Sequence, residues 1–220
     1  MDIKSILSKV DHTLLSPTSG NEAIIKLCDE GVGYGVASVC IPPCYVAFAS
    51  GYLAGRLPVC TVIGFPNGYS TTAVKCFEAE EAIKNGAEEI DTVVNLCHLK
   101  NKEFDKIEQE LCELRRATNG KILKVIVETG LLTDDEKITM CKIVHQSGAD
   151  YIKTSTGFLA GGATEHDVRI LVENAPEGLL VKASGGISSL EDAQSYISIG
   201  ASRLGTSRLI GLAKEYLDEN

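Results

Sequence analysis

Four charged residues stand in stretches that otherwise read as buried strands. They are Asp91 in Glu89-Ile90-Asp91-Thr92, Lys124 in Ile122-Leu123-Lys124-Val125, Lys153 in Tyr151-Ile152-Lys153-Thr154 and Lys182 in Leu180-Val181-Lys182-Ala183. A lone charge among apolar neighbours is costly unless it is paired, neutralised or used in chemistry. For any one of them a structural salt bridge is a sufficient explanation, but two lysines on adjacent strands need more. Strands lie about 4.8 Å apart, so Lys153 and Lys182 would face each other. At ~4 Å and an effective dielectric of about 20 their repulsion is of order 4 kcal/mol, enough to push one of them toward the neutral amine at physiological pH. A neutral lysine adds to a carbonyl, giving a carbinolamine and then an iminium, which acts as an electron sink for a carbanion on the adjacent carbon. That chemistry makes and breaks carbon–carbon bonds. A carboxylate such as Asp91 would move the protons, directly or through water. The residue pattern alone does not say which lysine attacks.

The elements that must position these groups follow a regular alternation. Apolar or β-branched runs lie near residues 10–13, 36–41, 58–65, 88–94, 121–128, 149–155, 179–184 and 201–206, with helical segments between them. Phe104, Ile107, Leu111 and Leu114 have helical spacing, and Thr133 with Glu136 and Ser188 with Glu191 read as capping boxes. Gly86, Gly120, Gly148, Gly178 and Gly200 mark helix ends. A Gly-Ala-x-x-apolar frame enters the strands at Gly86, Gly148 and Gly200. Repeated strand–helix units imply a parallel sheet with right-handed crossovers, and eight of them close into a (β/α)8 TIM barrel, although an open doubly wound sheet obeys the same local pattern. No linker or low-complexity tract divides the chain, so residues 1–220 read as a single α/β domain. Alternation along the strands turns Leu123, Val125 and Val127 toward the helices and points Asp91, Lys124, Glu128, Lys153 and Lys182 inward.

Glycines and hydroxyl residues end the last three strands: Thr154-Ser155-Thr156-Gly157, Ser184-Gly185-Gly186 and Gly205-Thr206-Ser207. Each alone is a turn. Together, with a helix N-terminus, they form the recurrent phosphate site at the C-terminal face of such barrels.

Composition narrows the partners. Against 21 Lys and Arg stand 30 Asp and Glu, a net charge of −9 that repels phosphate backbones and anionic lipid surfaces, so neither nucleic acid nor membrane is expected. The N-terminus lacks an apolar run of secretory length and no later window approaches a membrane span. Eight cysteines without a CxxC pattern, several of them in apolar stretches, read as buried thiols in a reducing compartment, and the expected location is cytoplasmic. His98, His145 and His166 lack metal-ligand spacing, and His12 reads as a packed or hydrogen-bonded group.

Asp11-His12-Thr13-Leu14-Leu15, Gly64-Phe65-Pro66-Asn67-Gly68, Glu89-Ile90-Asp91, Lys124 to Thr129, Tyr151 to Gly157 and Val181 to Gly186 resemble the motifs of the deoxyribose-phosphate aldolase family, and the resemblance spans nearly the whole chain. It implies a class I aldolase that reversibly cleaves 2-deoxy-D-ribose 5-phosphate to D-glyceraldehyde 3-phosphate and acetaldehyde without metal or cofactor. By motif, Lys153 is the Schiff-base lysine, Lys182 the cation that lowers its proton affinity and Asp91 the proton-transfer carboxylate working through a water. The phosphate is expected on the backbone of Gly157, Gly185, Gly186 and Gly205 with the Ser207 hydroxyl, and Thr13, Cys40 and Thr156 line the pocket; packing is the competing role for Cys40.

Three positions depart from the family pattern. Members often end in a tyrosine on a flexible tail, whereas here Tyr216 is the nearest to Asp218-Glu219-Asn220, so the tail role is not carried over. Phe158 stands where some members carry a lysine, and Arg208 where many have a second serine. Arg208 is accordingly a candidate phosphate ligand, with a solvated helix charge as its alternative role. Rival functions are another Schiff-base phosphosugar aldolase, a transaldolase-like barrel, or a silent phosphosugar-binding regulator. A homodimer or higher homo-oligomer is the common state of soluble assemblies.

Overall fold

The structure, a computed structural model, describes residues 2–159 and 161–219, and of residues 217–219 the backbone only; Asn220 of the tail lies outside the described residues. Among the described residues eight strands pair in chain order: β1 (Val10–Thr13), β2 (Ser38–Ile41), β3 (Val59–Ile63), β4 (Glu89–Val93), β5 (Ile122–Ile126), β6 (Tyr151–Lys153), β7 (Leu180–Ser184) and β8 (Arg203–Thr206). All pairings are parallel, and β8 returns to β1, so the sheet is a closed barrel rather than an open one.

The helices are α1 (Ile3–Leu7), α2 (Asn21–Tyr34), α3 (Val46–Leu53), α4 (Thr72–Lys84), α5 (Leu96–Lys100), α6 (Phe104–Ala117), α7 (Asp134–Gln146), α8 (Glu165–Asn174), α9 (Leu190–Ile199) and α10 (Leu209–Glu219). Their apolar stripes pack on the outward strand residues. Ile107, Leu111 and Leu114 of α6 are buried in one core with Ile90, Leu123, Val125, Ile152 and Val181. Such strands are covered on both sides, which is why they read as nearly continuous apolar runs. Among the described residues no helix is long and apolar enough to cross a membrane.

Two local expectations shift. Thr133 and Glu136 do form the capping box of α7, but α9 starts one residue later than expected, on Ser189 and Asp192. The overlapping frames Ser188/Glu191 and Ser189/Asp192 are equivalent in sequence; here Asp192 accepts from the backbone N–H of both Ser188 and Ser189. The second shift is at β5, which ends at Ile126, short of the apolar run to residue 128. Glu128 takes a left-handed backbone conformation, φ 55° and ψ 65°, which a strand cannot continue through. Its carboxylate therefore does not join Lys124 inside the barrel but reaches the exit of β6, where it accepts from the Thr156 N–H at 3.0 Å.

Candidate active site

Strand register brings the inward charges together. Asp91 pairs with Lys124, Lys153 with Lys182, and Lys182 with Arg203 across neighbouring strands. Closure of β8 on β1 adds Asp11, and Glu89 lies two residues before Asp91 on the same face of β4. The result is a buried lattice of four cations and three carboxylates. Lys124 Nζ lies 2.6 Å from Glu89, 2.8 Å from Asp91 and 3.5 Å from Asp11. Arg203 bridges Asp11 at 3.0 Å and Glu89 at 3.1 Å. Lys182 pairs with Asp11 and, at 2.7 Å, with Asp91 Oδ2. Lys153 donates to that same Oδ2, also at 2.7 Å. Ser38 and Cys60 complete the carboxylate contacts, donating to Asp11 at 2.8 Å and to Asp91 Oδ1 at 3.3 Å.

Sequence reasoning supplied Asp91, Lys153, Lys182 and Lys124 but gave no role to Asp11, Glu89, Arg203, Ser38 or Cys60. The two amines do not confront each other bare either, because a carboxylate oxygen sits between them. Burial alone would push the Asp11 and Asp91 carboxyls up; for Asp11 the charges of Lys124, Lys182 and Arg203, and for Asp91 those of Lys124, Lys153 and Lys182, outweigh it and hold both well below the usual carboxylate range. Burial would likewise loosen the proton of Lys182, but Asp11 and Asp91 hold it more tightly than on a free lysine. Lys182 is locked as a cation.

Lys153 is held differently. Its one carboxylate contact among the described residues is an oxygen shared with Lys182, and of the lattice's cations it is the one that lines the cavity above. With four cations on three carboxylates, a neutral Lys153 leaves the rest of the lattice in charge balance. The two lysines thus differ in access: Lys153 borders the cavity and Lys182 does not.

The cavity, about 530 Å³, opens at the C-terminal ends of the strands with Lys153 at its floor. Thr13, Thr156, Gly157, Gly185, Gly186, Gly205, Ser207 and Arg208 line it, as do Leu14, Leu15, Pro17, Phe158 and Ile187. Asp91 and Lys182 lie beneath the floor, fully buried. Cys40 does not border the cavity: it is 1% exposed and packs with Cys60 and Val62, the contact expected of a buried thiol. Phe158 packs edge-on against Phe65, ring centroids 5.2 Å apart, and makes one wall apolar.

The opposite wall is backbone. The N–H groups of Gly157, Gly185, Gly186 and Ser207 have no acceptor among the described residues, and α10 begins beside them, adding its positive end. The chains approach so closely here that a Cβ on Gly162 would lie 2.4 Å from the Gly185 carbonyl. Gly205, which also lines the cavity, has a steric task as well: a Cβ there would meet Ser184 Cβ at 2.9 Å and Lys182 Cε at 3.1 Å, so its hydrogen makes room for the Lys182 side chain. Arg208 is exposed at the rim and forms no ion pair among the described residues.

Two sets of potential metal ligands occur among the described residues, Cys40 with Cys60 and Asp91, and Asp11 with Cys60 and Glu89. Their carboxylates already hold lysines or Arg203, so a divalent ion would enter against those positive charges.

The chain matches the profile of the DeoC/LacD family of aldolases over residues 5–213. It is 55% identical over 214 residues to the deoxyribose-phosphate aldolase of Streptococcus pyogenes serotype M4, covering 97% of this chain and 96% of that one. Among solved structures it resembles QR15, an aldolase, with a TM-score of 0.92 and 41% identity over 97% of this chain and 96% of the other. It also resembles the deoxyribose phosphate aldolase of Aeropyrum pernix, with a TM-score of 0.92 and 31% identity over 100% of this chain and 94% of that one.

Proposed function

The chain belongs to the DeoC/LacD family of aldolases and cleaves 2-deoxy-D-ribose 5-phosphate reversibly to D-glyceraldehyde 3-phosphate and acetaldehyde, and we propose that it does so through a Schiff base on Lys153. The observation that carries this assignment is the placement of Lys153: alone among the lattice cations it borders the cavity, on a carboxylate oxygen that Lys182 already occupies.

The neutral Lys153 amine adds to C1 of the open-chain sugar, and loss of water gives the iminium. A proton leaves the C3 hydroxyl, the C2–C3 bond breaks, and its electron pair flows into the iminium to give an enamine. Glyceraldehyde 3-phosphate departs, C2 is protonated, and water releases acetaldehyde from Lys153. Asp91, 2.7 Å from the reacting nitrogen, is the carboxylate through which protons pass, directly or by a water. Its low affinity for a proton makes it a relay rather than a store. Lys182, bound to the same carboxylate oxygen, places a fixed cation beside the reacting amine. The phosphate would sit on the free N–H groups of Gly157, Gly185, Gly186 and Ser207, with the Arg208 guanidinium supplying charge at the rim and Thr13 and Thr156 bordering the sugar. Gly205 enters by making room for Lys182.

Borohydride reduction in the presence of acetaldehyde should place an ethyl group on Lys153, located by peptide mass spectrometry. An adduct on Lys182 instead would reverse the two roles.

A cytoplasmic location rests on the eight cysteines, all free thiols. Assembly of two or more copies is supported by the solvent-facing Tyr69 and Phe77, each 66% exposed, and by a relative whose structure is described as tetrameric. Sedimentation of the purified protein measures it.

A further inference from the structure

Glu128 plays no part in the reaction just described, yet it is fully buried at the mouth of the barrel in a backbone conformation that costs a non-glycine residue of order 1 kcal/mol. Its surroundings explain what that bend achieves. The chain leaving β5 runs beside the chain leaving β6: Val127 N donates to the Lys153 carbonyl and Thr129 N to the Thr154 carbonyl. The left-handed turn at Glu128 lies between these two bonds and ends the strand, and the Glu128 side chain crosses to the neighbouring segment, Oε2 accepting from Thr156 N at 3.0 Å. Its other oxygen, Oε1, has no partner among the described residues, so one acceptor atom does the work.

Thr156 in turn accepts from Phe158 N at 3.1 Å through its hydroxyl, which sets the turn that carries Gly157. With the Thr156 N–H drawn down to Glu128, the next N–H, that of the cavity-lining Gly157, has no acceptor among the described residues, and Phe158 lies against Phe65. We propose that Glu128 is a positioning residue for substrate phosphate, holding the loop after β6 so that the Gly157 N–H is presented to the anion. The inference rests on the phosphate cup assigned above and deepens it: recognition of the phosphate depends on a buried side chain on the neighbouring strand that does not touch the substrate.

Two variants test it, each assayed with 2-deoxyribose 5-phosphate and with unphosphorylated 2-deoxyribose at a temperature where circular dichroism shows both folded. Glu128→Gly removes the acceptor and at the same time relieves the backbone strain, which keeps the bend accessible. Glu128→Gln keeps an acceptor oxygen of the same reach without the charge. Glu128→Gly should lower the ratio of kcat/KM for the phosphorylated over the unphosphorylated sugar about tenfold, the weight of one lost hydrogen bond, and weaken competitive inhibition by inorganic phosphate to the same extent. Glu128→Gln should restore both to within about threefold of the parent. A general structural role would lower activity on both sugars together and leave the ratio where it was, which overturns the proposal; so does a ratio that falls as far in Glu128→Gln. A parent protein that shows no preference for the phosphorylated sugar and no inhibition by inorganic phosphate would overturn the phosphate cup itself, an outcome distinct from either variant's failure.

Discussion

Lys153 and Lys182 donate to one and the same atom, Asp91 Oδ2, each at 2.7 Å. This shared oxygen joins stability to reactivity. It lets two amines lie within two hydrogen-bond lengths of each other in a buried site, and it can fully neutralise only one of them. Because Lys182 also holds Asp11 and Lys153 has no second carboxylate among the described residues, the shortfall falls on Lys153.

Replacing Asp91 by Asn leaves an acceptor but removes the charge, so four cations are left with two carboxylates. Breaking a buried ion pair on one side costs about 3–5 kcal/mol, which for a chain of this size lowers Tm by on the order of 10 °C. Loss of the proton relay should cut kcat at least about a hundredfold. Calorimetry and steady-state assays measure the two effects separately, and a variant with kcat within threefold of the parent would remove Asp91 from the mechanism.

Lys182→Met takes away the locked cation and leaves Asp91 Oδ2 to Lys153 alone. Without the cation beside the reacting amine, kcat should fall about a hundredfold or more, measured by steady-state assay. A variant with kcat within threefold of the parent would contradict a role for Lys182 beside the reacting amine.

The lysines of this lattice are legible in sequence because each interrupts an apolar strand with the parity of an inward residue. Their partners are not legible in the same way. Asp11 and Arg203 lie on β1 and β8, which meet only when the barrel closes, and a linear string does not say that residues so far apart become neighbours. Alternation applied to β1 and β8 marks both as inward and is the signal that finds them. Glu128 shows the opposite failure. Parity extended through the apolar run placed it beside Lys124, but a single left-handed residue ends the strand and redirects the side chain. No residue type in Val127-Glu128-Thr129 announces that bend.

Gly205 reads in sequence as a backbone contact of the phosphate, and the structure adds a steric task beside Lys182. A methyl group there would come within 3.1 Å of Lys182 Cε and 2.9 Å of Ser184 Cβ, neither of which is free to retreat. Gly205→Ala should therefore displace the Lys182 ammonium and reduce kcat about tenfold or more, with the larger effect on kcat than on KM. An effect on KM alone would return Gly205 to the phosphate cup.

Arg208 sits at the cavity rim without an ion-pair partner among the described residues, beside the apolar Phe158. If the guanidinium supplies the charge for the phosphate, Arg208→Ser should raise KM for the phosphorylated sugar about tenfold and affect the unphosphorylated sugar much less. Equal KM values before and after the substitution would make Arg208 a solvated helix charge.

Stability should carry a signature of its own between pH 7 and pH 5, and it comes from β1 rather than from the lattice. His12 Nε2 lies 3.0 Å from Glu30, which also holds Lys214 at 2.9 Å, while the buried His12 Nδ1 has no partner among the described residues. Burial lowers the proton affinity of the ring below its ordinary 6.5, and the pull of Glu30 only partly offsets this. A second N–H on the ring would find nothing to donate to. The unfolded chain therefore binds the proton more readily than the folded one, so stability rises with pH through this interval and is lost as pH falls below about 6.5. Asp11 and Asp91 do not contribute there, because their carboxyls are depressed from 3.8 and their share is lost only in stronger acid; Glu30, depressed from 4.5, also titrates below the window. Tm measured by differential scanning calorimetry should thus fall between pH 7 and pH 5, and His12→Gln, which can still donate to Glu30 but does not titrate, should flatten that fall. An unchanged slope in the variant would mean that His12 titrates in the folded protein as it does in the unfolded chain.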